Sequence, residues 1–226
     1  MKVYDSRSVL IELLIGALCV CYGSNLFANS EVSPTSLIYK QQRIIKSAID
    51  IMESQEISYV YGGYQLGSDR ECESCNVCLE KKQPKAKERL SDCPQCQKCS
   101  IDCSHFVQLA YLRAGFKMPY LDTDTMLKSS KKRLLHSYNL IEIGNNPANA
   151  LPGDLLVYRG HVVMLESLYD NLRADILHAT GGREIRLPGQ GIQRKRQALI
   201  HSFHGPLVKI LRHKDLMQVK KLSPVK

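Results

Sequence analysis

Three side chains have the types and spacing for nucleophilic chemistry. Cys103 lies in Asp102-Cys103-Ser104, directly before an apolar pattern of helical period. A thiol at a helix start feels the positive end of the backbone dipole, which favours the thiolate and predicts a lowered pKa. Such a nucleophile needs a base. His161 qualifies by position: Pro152-Gly153-Asp154 makes a turn, one strand follows, and Arg159-Gly160 turns the chain into a strand that His161 opens. Seventeen residues later His178 falls on the next strand candidate, and neighbouring antiparallel strands bring two imidazoles together. Singly, each residue has an ordinary explanation, a small buried hydrophobe for the cysteine and a core or surface residue for either histidine. Their order and context point instead to a thiol, a base and an orienting group.

The elements that must position these residues are legible in the hydrophobic pattern. Leu37, Ile44, Ile45, Ala48, Ile49 and Met52 recur at helical spacing, predicting an amphipathic helix ending near Ser54. Residues 57–63 form a short β-prone run stopped by Gly62-Gly63. From 68 to 100 the composition changes to Cys, Lys, Glu, Gln and Pro, too polar for a core of its own without metal or disulfides, unless it is disordered. Phe106, Val107, Leu109, Ala110 and Leu112 predict a buried helix closed by Gly115. A polar connection runs to Ala150, and strands are expected at 155–158, 161–165, 176–179 and 208–211. Helices followed by an antiparallel sheet make an α+β layer fold.

With 226 residues, 44% of them hydrophobic, the chain has room for one domain and an exported leader. The formal charge of +9 favours anionic partners: nucleic acid, a membrane surface or an acidic wall polymer. No nucleic-acid motif is recognisable, so no nucleic-acid partner is expected, and the clusters Lys131-Lys132-Arg133 and Arg194-Lys195-Arg196 read as solvated loops. At the N-terminus, Lys2 and Arg7 precede an apolar run from Val9 to Tyr22 and then Leu26-Phe27-Ala28, the order of a secretory signal cleaved after Ala28. The run is too short and broken for a membrane span, and neither Cys19 nor Cys21 follows a lipoprotein cleavage pattern. The expected product is residues 29–226, exported to the periplasm or cell surface.

Asp102-Cys103-Ser104-His105-Phe106-Val107 resembles the nucleophile signature of the NlpC-type cell-wall endopeptidases, usually Asp-Cys-Ser-Gly-Phe-Val. Pro152-Gly153-Asp154-Leu155 with His161-Val162 resembles that family's second signature, Ile176-Leu177-His178-Ala179 its third, and Tyr59-Val60-Tyr61-Gly62-Gly63 the segment ahead of the nucleophile. The resemblance covers most of residues 57–180. It implies a papain-like α+β fold and a cysteine peptidase acting on peptidoglycan stem peptides or cross-links, at a bond involving D-glutamate and a diamino acid, with no catalytic cofactor. Cys103 would attack, His161 would take and return the proton, His178 would orient its ring, and the Cys103 amide would be an oxyanion donor. Tyr59 would line the site, while Asp102 and Ser104 match positions near the substrate's free amino end, with helix capping an equal reading. Amidase or acyltransferase chemistry, or a non-catalytic wall- or partner-binding module, are the alternatives. Departures are His105 and Val163 where glycines are usual, both adding bulk near the site, a longer turn near Tyr169-Asp170-Asn171, and the insertion between Gly63 and Asp102.

That insertion holds Cys72, Cys75 and Cys78 in one C-x-x-C-x-x-C triplet and Cys93, Cys96 and Cys99 in another. Such turns suit a tetrahedral structural zinc with these cysteines as ligands. An oxidising compartment would favour disulfides, in 15 pairings. An iron–sulfur cluster or disorder are the further readings. Cys99 stands four residues before Cys103, where a bond between them would consume the nucleophile; fixing Cys99 in zinc or in another disulfide keeps Cys103 free.

Overall fold

The computed structural model describes residues 36–54, 57–81, 92–181 and 191–217. The expected leader, 1–28, lies outside them. Helix α1 (Leu37–Ser54) buries Gln41, Ile44, Ser47, Ala48 and Ile51, a stripe at steps of three and four. Ile44 and Ile51 are fully enclosed, each contributing about 1.5–3 kcal/mol of apolar burial. The other apolar positions of the expected pattern, Leu37, Ile45, Ile49 and Met52, pack at the stripe's flanks. Helix α2 (Asp69–Lys81) belongs to the insertion, and helix α3 (Cys103–Arg113) carries the nucleophile candidate. In α3 Leu112 is 46% exposed, so the buried face is Phe106, Val107, Ala110 and Tyr111.

Two strands of two residues, β1 (Tyr64–Gln65) and β2 (Ser100–Ile101), pair antiparallel at the root of the insertion. The expected polar connection is ordered: α4 (Thr123–Lys128) and α5 (Lys131–Tyr138) are capped by Asp122 and Ser130, and β3 (Leu140–Gly144) follows. Then come β4 (Leu155–Tyr158), β5 (His161–Leu168), β6 (Arg173–Ala179), β7 (Ile192–Leu199) and β8 (Lys209–His213). Strands β3 to β8 form one antiparallel sheet in the order β3-β8-β4-β5-β6-β7. The α+β architecture is the one the sequence predicts.

Both faces of the central strands are buried, which is why they read as unbroken apolar runs. Leu155, Val157, Val162, Met164 and Leu177 face the core shared with α1 and α3. Leu156, Tyr158, Val163, Leu165 and Ile176 face a second core closed by Ile200, Leu207 and Phe203. Val163 therefore fills core rather than crowding the site. The basic clusters are not loops. Lys131-Lys132-Arg133 begins α5, and Arg194-Lys195-Arg196 lies on β7, where Arg194 is paired with Glu166 and Arg196 with Asp175 at 2.8 Å. Among the described residues no helix is long and apolar enough to cross a membrane.

The insertion corrects the zinc expectation. Cys72, Cys75 and Cys78, at i, i+3 and i+6 of α2, share one face and are bonded to Cys99, Cys96 and Cys93. A sulfur bonded to sulfur offers no thiolate to a metal, so the disulfide alternative describes this segment. Its small core is Val60, Cys75, Leu79, Cys93 and Cys96, three of the five being half-cystines.

Candidate active site

The segment before the nucleophile is built by strand β2 and the chain crossing it. Asp102 N–H donates to the Gly63 carbonyl at 2.9 Å, and Ile101 N–H to the Ser58 carbonyl at 3.1 Å. A Cβ on Gly63 would come within 2.8–2.9 Å of the β2 backbone, so this crossing requires glycine. Asp102 is the N-cap of α3: its Oδ1 accepts from His105 N–H at 2.8 Å. Cys103 begins the helix and is 5% exposed. It is the free cysteine among the described residues, and its neighbour Cys99 is held by Cys72.

The thiol departs from the dipole argument. Burial pushes Cys103 up to about 11 and the Asp102 charge adds to this, although the backbone amides of Val162, Ser104 and Cys103 pull the other way. The Val162 amide at the sulfur joins the start of α3 to the start of β5, one residue from His161. There the two-residue turn Arg159-Gly160 links β4 to β5, with Gly160 at φ +72°.

His161 and His178 stand on adjacent strands, with His161 Nε2 3.0 Å from His178 Nδ1 and the rings nearly perpendicular. Both are buried. Burial and the neighbouring His178 push His161 down to about 3; burial, with His204 and Lys195, pushes His178 down to about 4. Both imidazoles are neutral near pH 7, and one hydrogen links them.

The remaining candidates surround the thiol. Tyr59 pairs through its backbone with Ile101 and rests its ring where a Cβ on Gly181 would intrude at 2.8 Å. Burial, Cys103 and Asp102 all raise its phenol pKa. Ser104 Oγ donates to Asp102 Oδ1 at 2.9 Å and lies 3.4 Å from the Tyr120 hydroxyl. Capping thus accounts for Asp102, while Ser104 braces the cap. The six cysteines lie in the disulfide ladder described above.

Phe203 and His204 escape the sequence reading. His204 covers the His161 ring at 4.7 Å between centroids, and Phe203 sets its ring edge-on to His178 at 5.1 Å. Tyr158 anchors their loop through its hydroxyl to the Ile200 carbonyl at 2.5 Å. The turn Gly205-Pro206 beside a histidine was the available signal, but no periodicity ties it to the strand histidines.

No family model matches the chain, and no curated protein does. Two solved structures are similar to it. The P60 domain from an antigen of M. avium paratuberculosis is 15% identical, with 76% of this chain and 95% of that one covered at a TM-score of 0.40. The peptidoglycan hydrolase RipB from Mycobacterium tuberculosis is 18% identical, with 88% and 77% covered at a TM-score of 0.42. Likenesses this remote say nothing of the chemistry here.

Proposed function

We propose that this protein is a papain-like cysteine endopeptidase that hydrolyses peptide bonds in peptidoglycan stem peptides or cross-links. The observation that carries the reading is a helix-start thiol that the Val162 amide of β5 reaches, beside a pair formed by His161, which opens that strand, and His178 of β6, 3.0 Å apart. His161 Nε2 donates its hydrogen to His178 Nδ1, which leaves His161 Nδ1 as the base. That nitrogen takes the Cys103 proton as sulfur attacks the scissile carbonyl. The oxyanion is received by backbone amides at the start of α3. Collapse breaks the C–N bond, and the proton passes from His161 to the leaving amine. Water, deprotonated by His161, then hydrolyses the thioester and restores the thiol. The substrate is assigned on the sequence signatures, and an acidic wall polymer suits a chain of charge +9. Residues 1–28 act as the export signal, placing the enzyme in the periplasm or at the cell surface.

Digestion of purified peptidoglycan, with fragments identified by mass, tests this. Wild type is expected to release new amino groups from the peptides. Cys103→Ala should lower the rate by at least about a thousandfold while the circular dichroism spectrum is unchanged. Wild-type rates in Cys103→Ala, or fragments cut only in the glycan, would overturn the reading.

A further inference from the structure

The two strand imidazoles stand at the rim of a core, where the sheet alone does not cover them. Along β5 and β6, Val163, Leu165 and Ile176 face the second core. His161 lies two residues before Val163 and His178 two after Ile176, so strand alternation sets both rings on that face, at its end. Tyr158, opposite His161 in the register of β4 and β5, stands there too. The pair is nonetheless enclosed, His161 being 4% and His178 5% exposed. Its cover comes from the loop between β7 and β8. Ser202 N–H donates to the Leu199 carbonyl at 3.1 Å and Leu207 N–H to that of His201 at 3.2 Å, and Gly205 turns the chain at φ +79°. The Phe203 ring meets three others: Tyr158 at 6.2 Å between centroids, His178 at 5.1 Å and His161 at 6.5 Å. His204 lies against the His161 ring and is itself exposed.

What this cover does follows from the bond beneath it. A hydrogen bond between two neutral imidazoles competes with water, which serves either nitrogen nearly as well, so in the open it holds a ring weakly. Under an apolar cover the alternative is a buried donor and a buried acceptor left unpaired, and the ring stays in place. A phenyl ring suits the position because it brings no nitrogen or oxygen to compete for the shared hydrogen. We propose that Phe203 and His204 are positioning residues for the reaction: they close the His161–His178 hydrogen bond from water, which keeps its hydrogen on His161 Nε2 and leaves His161 Nδ1 free as the base. This rests on the peptidase reading. The titratable groups acting on the pair are His178 on His161, His204 on both and Lys195 of β7 on His178, and all of them add to burial in keeping it neutral. On the α3 side the Cys103 thiol is neutral as well.

The test uses the full, oxidised protein with isotope-labelled histidine. Nuclear magnetic resonance is expected to show a His161 Nε2 hydrogen that exchanges slowly with water, and both rings neutral at about pH 5, between their folded values and the 6.5 of an open histidine. Phe203→Ala should speed that exchange by at least about tenfold and let the pair take up a proton at the same pH, because water then reaches it. Phe203→Leu, which keeps an apolar cover, should restore the slow exchange. His204→Ala, at an exposed position outside the core, should move exchange and protonation in the same direction as Phe203→Ala. With a wall peptide as substrate, both alanine variants should lower kcat by about tenfold and leave KM within about twofold, since the base is disturbed and substrate binding is not. Fast exchange in the wild-type protein, or a kcat unmoved in both alanine variants, would overturn the proposal. Its failure is distinct from that of the reading it rests on. If wild type cuts the peptide and the variants match it in kcat and exchange, the peptidase stands and this proposal falls; if exchange moves as expected and wild type cuts no wall peptide, the peptidase reading falls.

Discussion

A buried thiol and two buried imidazoles are all held in their neutral forms, and pH acts on that arrangement from both sides. An unfolded chain protonates histidine near 6.5, whereas the folded protein keeps His161 and His178 neutral down to about 3 and about 4. The unfolded state therefore binds more protons across this window. The histidine contribution is complete above pH 6.5 and is lost as pH falls toward the folded values of about 4 and about 3. The thiol works oppositely: its contribution is complete below its ordinary value of 9.0 and is lost as pH rises toward about 11. Urea unfolding across this range should show both limbs, with His178→Asn flattening the acid one; an acid slope identical to wild type would mean that His178 is not buried neutral. The positions of Cys103 and His161 were legible from the helix start and the turn beside them, and that of His178 from the apolar strand run that holds it. Their protonation states were not, since the dipole is a local property of the sequence and desolvation comes from residues far along the chain. His105 was legible as a departure, but its bond to Asp102 and its stacking on Tyr120 were not.

Strands and helices were legible where apolar residues repeat, and hidden where polar groups do the anchoring. The strand β7 carries Arg194-Lys195-Arg196 because Glu166 and Asp175 on β5 and β6 receive two of those charges. In sequence the same triplet looks like a solvated loop. Helices α4 and α5 are short and rest on caps, Asp122 and Ser130, more than on an apolar stripe. The α2 helix was missed because its buried face is cysteine, which reads as chemistry before it reads as packing. At the start of β4, Asp154 is fully buried and takes two hydrogen bonds from Arg212 of β8, at 2.8 and 2.7 Å. Here the turn in Pro152-Gly153-Asp154 was legible and the partner 58 residues away was not. Asp154→Ala leaves a guanidinium uncompensated inside the protein and should cost about 3–5 kcal/mol in denaturant unfolding. A loss under 1 kcal/mol would mean that the pair does not tie β4 to β8.

Taken whole, the molecule hangs its nucleophile between two kinds of core. On one side are α1, α3 and the sheet; on the other is the insertion, whose small core is largely cystine. Strand β2 leaves the insertion and delivers Asp102 and Cys103 directly. Dithiothreitol, which raises the activity of many thiol enzymes, should therefore lower it here, with the circular dichroism of the sheet retained. Full activity after reduction of all three disulfides would detach the insertion from the site. The ladder also has an order. Its bonds 78–93, 75–96 and 72–99 are nested, with separations of 15, 21 and 27 residues. The innermost closes the shortest loop, and each later rung has only a few further residues to restrain. Oxidation can thus zip outward toward the nucleophile, and it can also miscount. A register slipped by one rung joins 72 to 96 and 75 to 93, leaving the Cys78 and Cys99 thiols unbonded. Cys99 is then four residues from Cys103, and an oxidant that joins the two yields a chain with three disulfides and no nucleophile. Such an isomer has the mass of the active protein, so the specific activity of an oxidised preparation measures the fidelity with which its ladder closed.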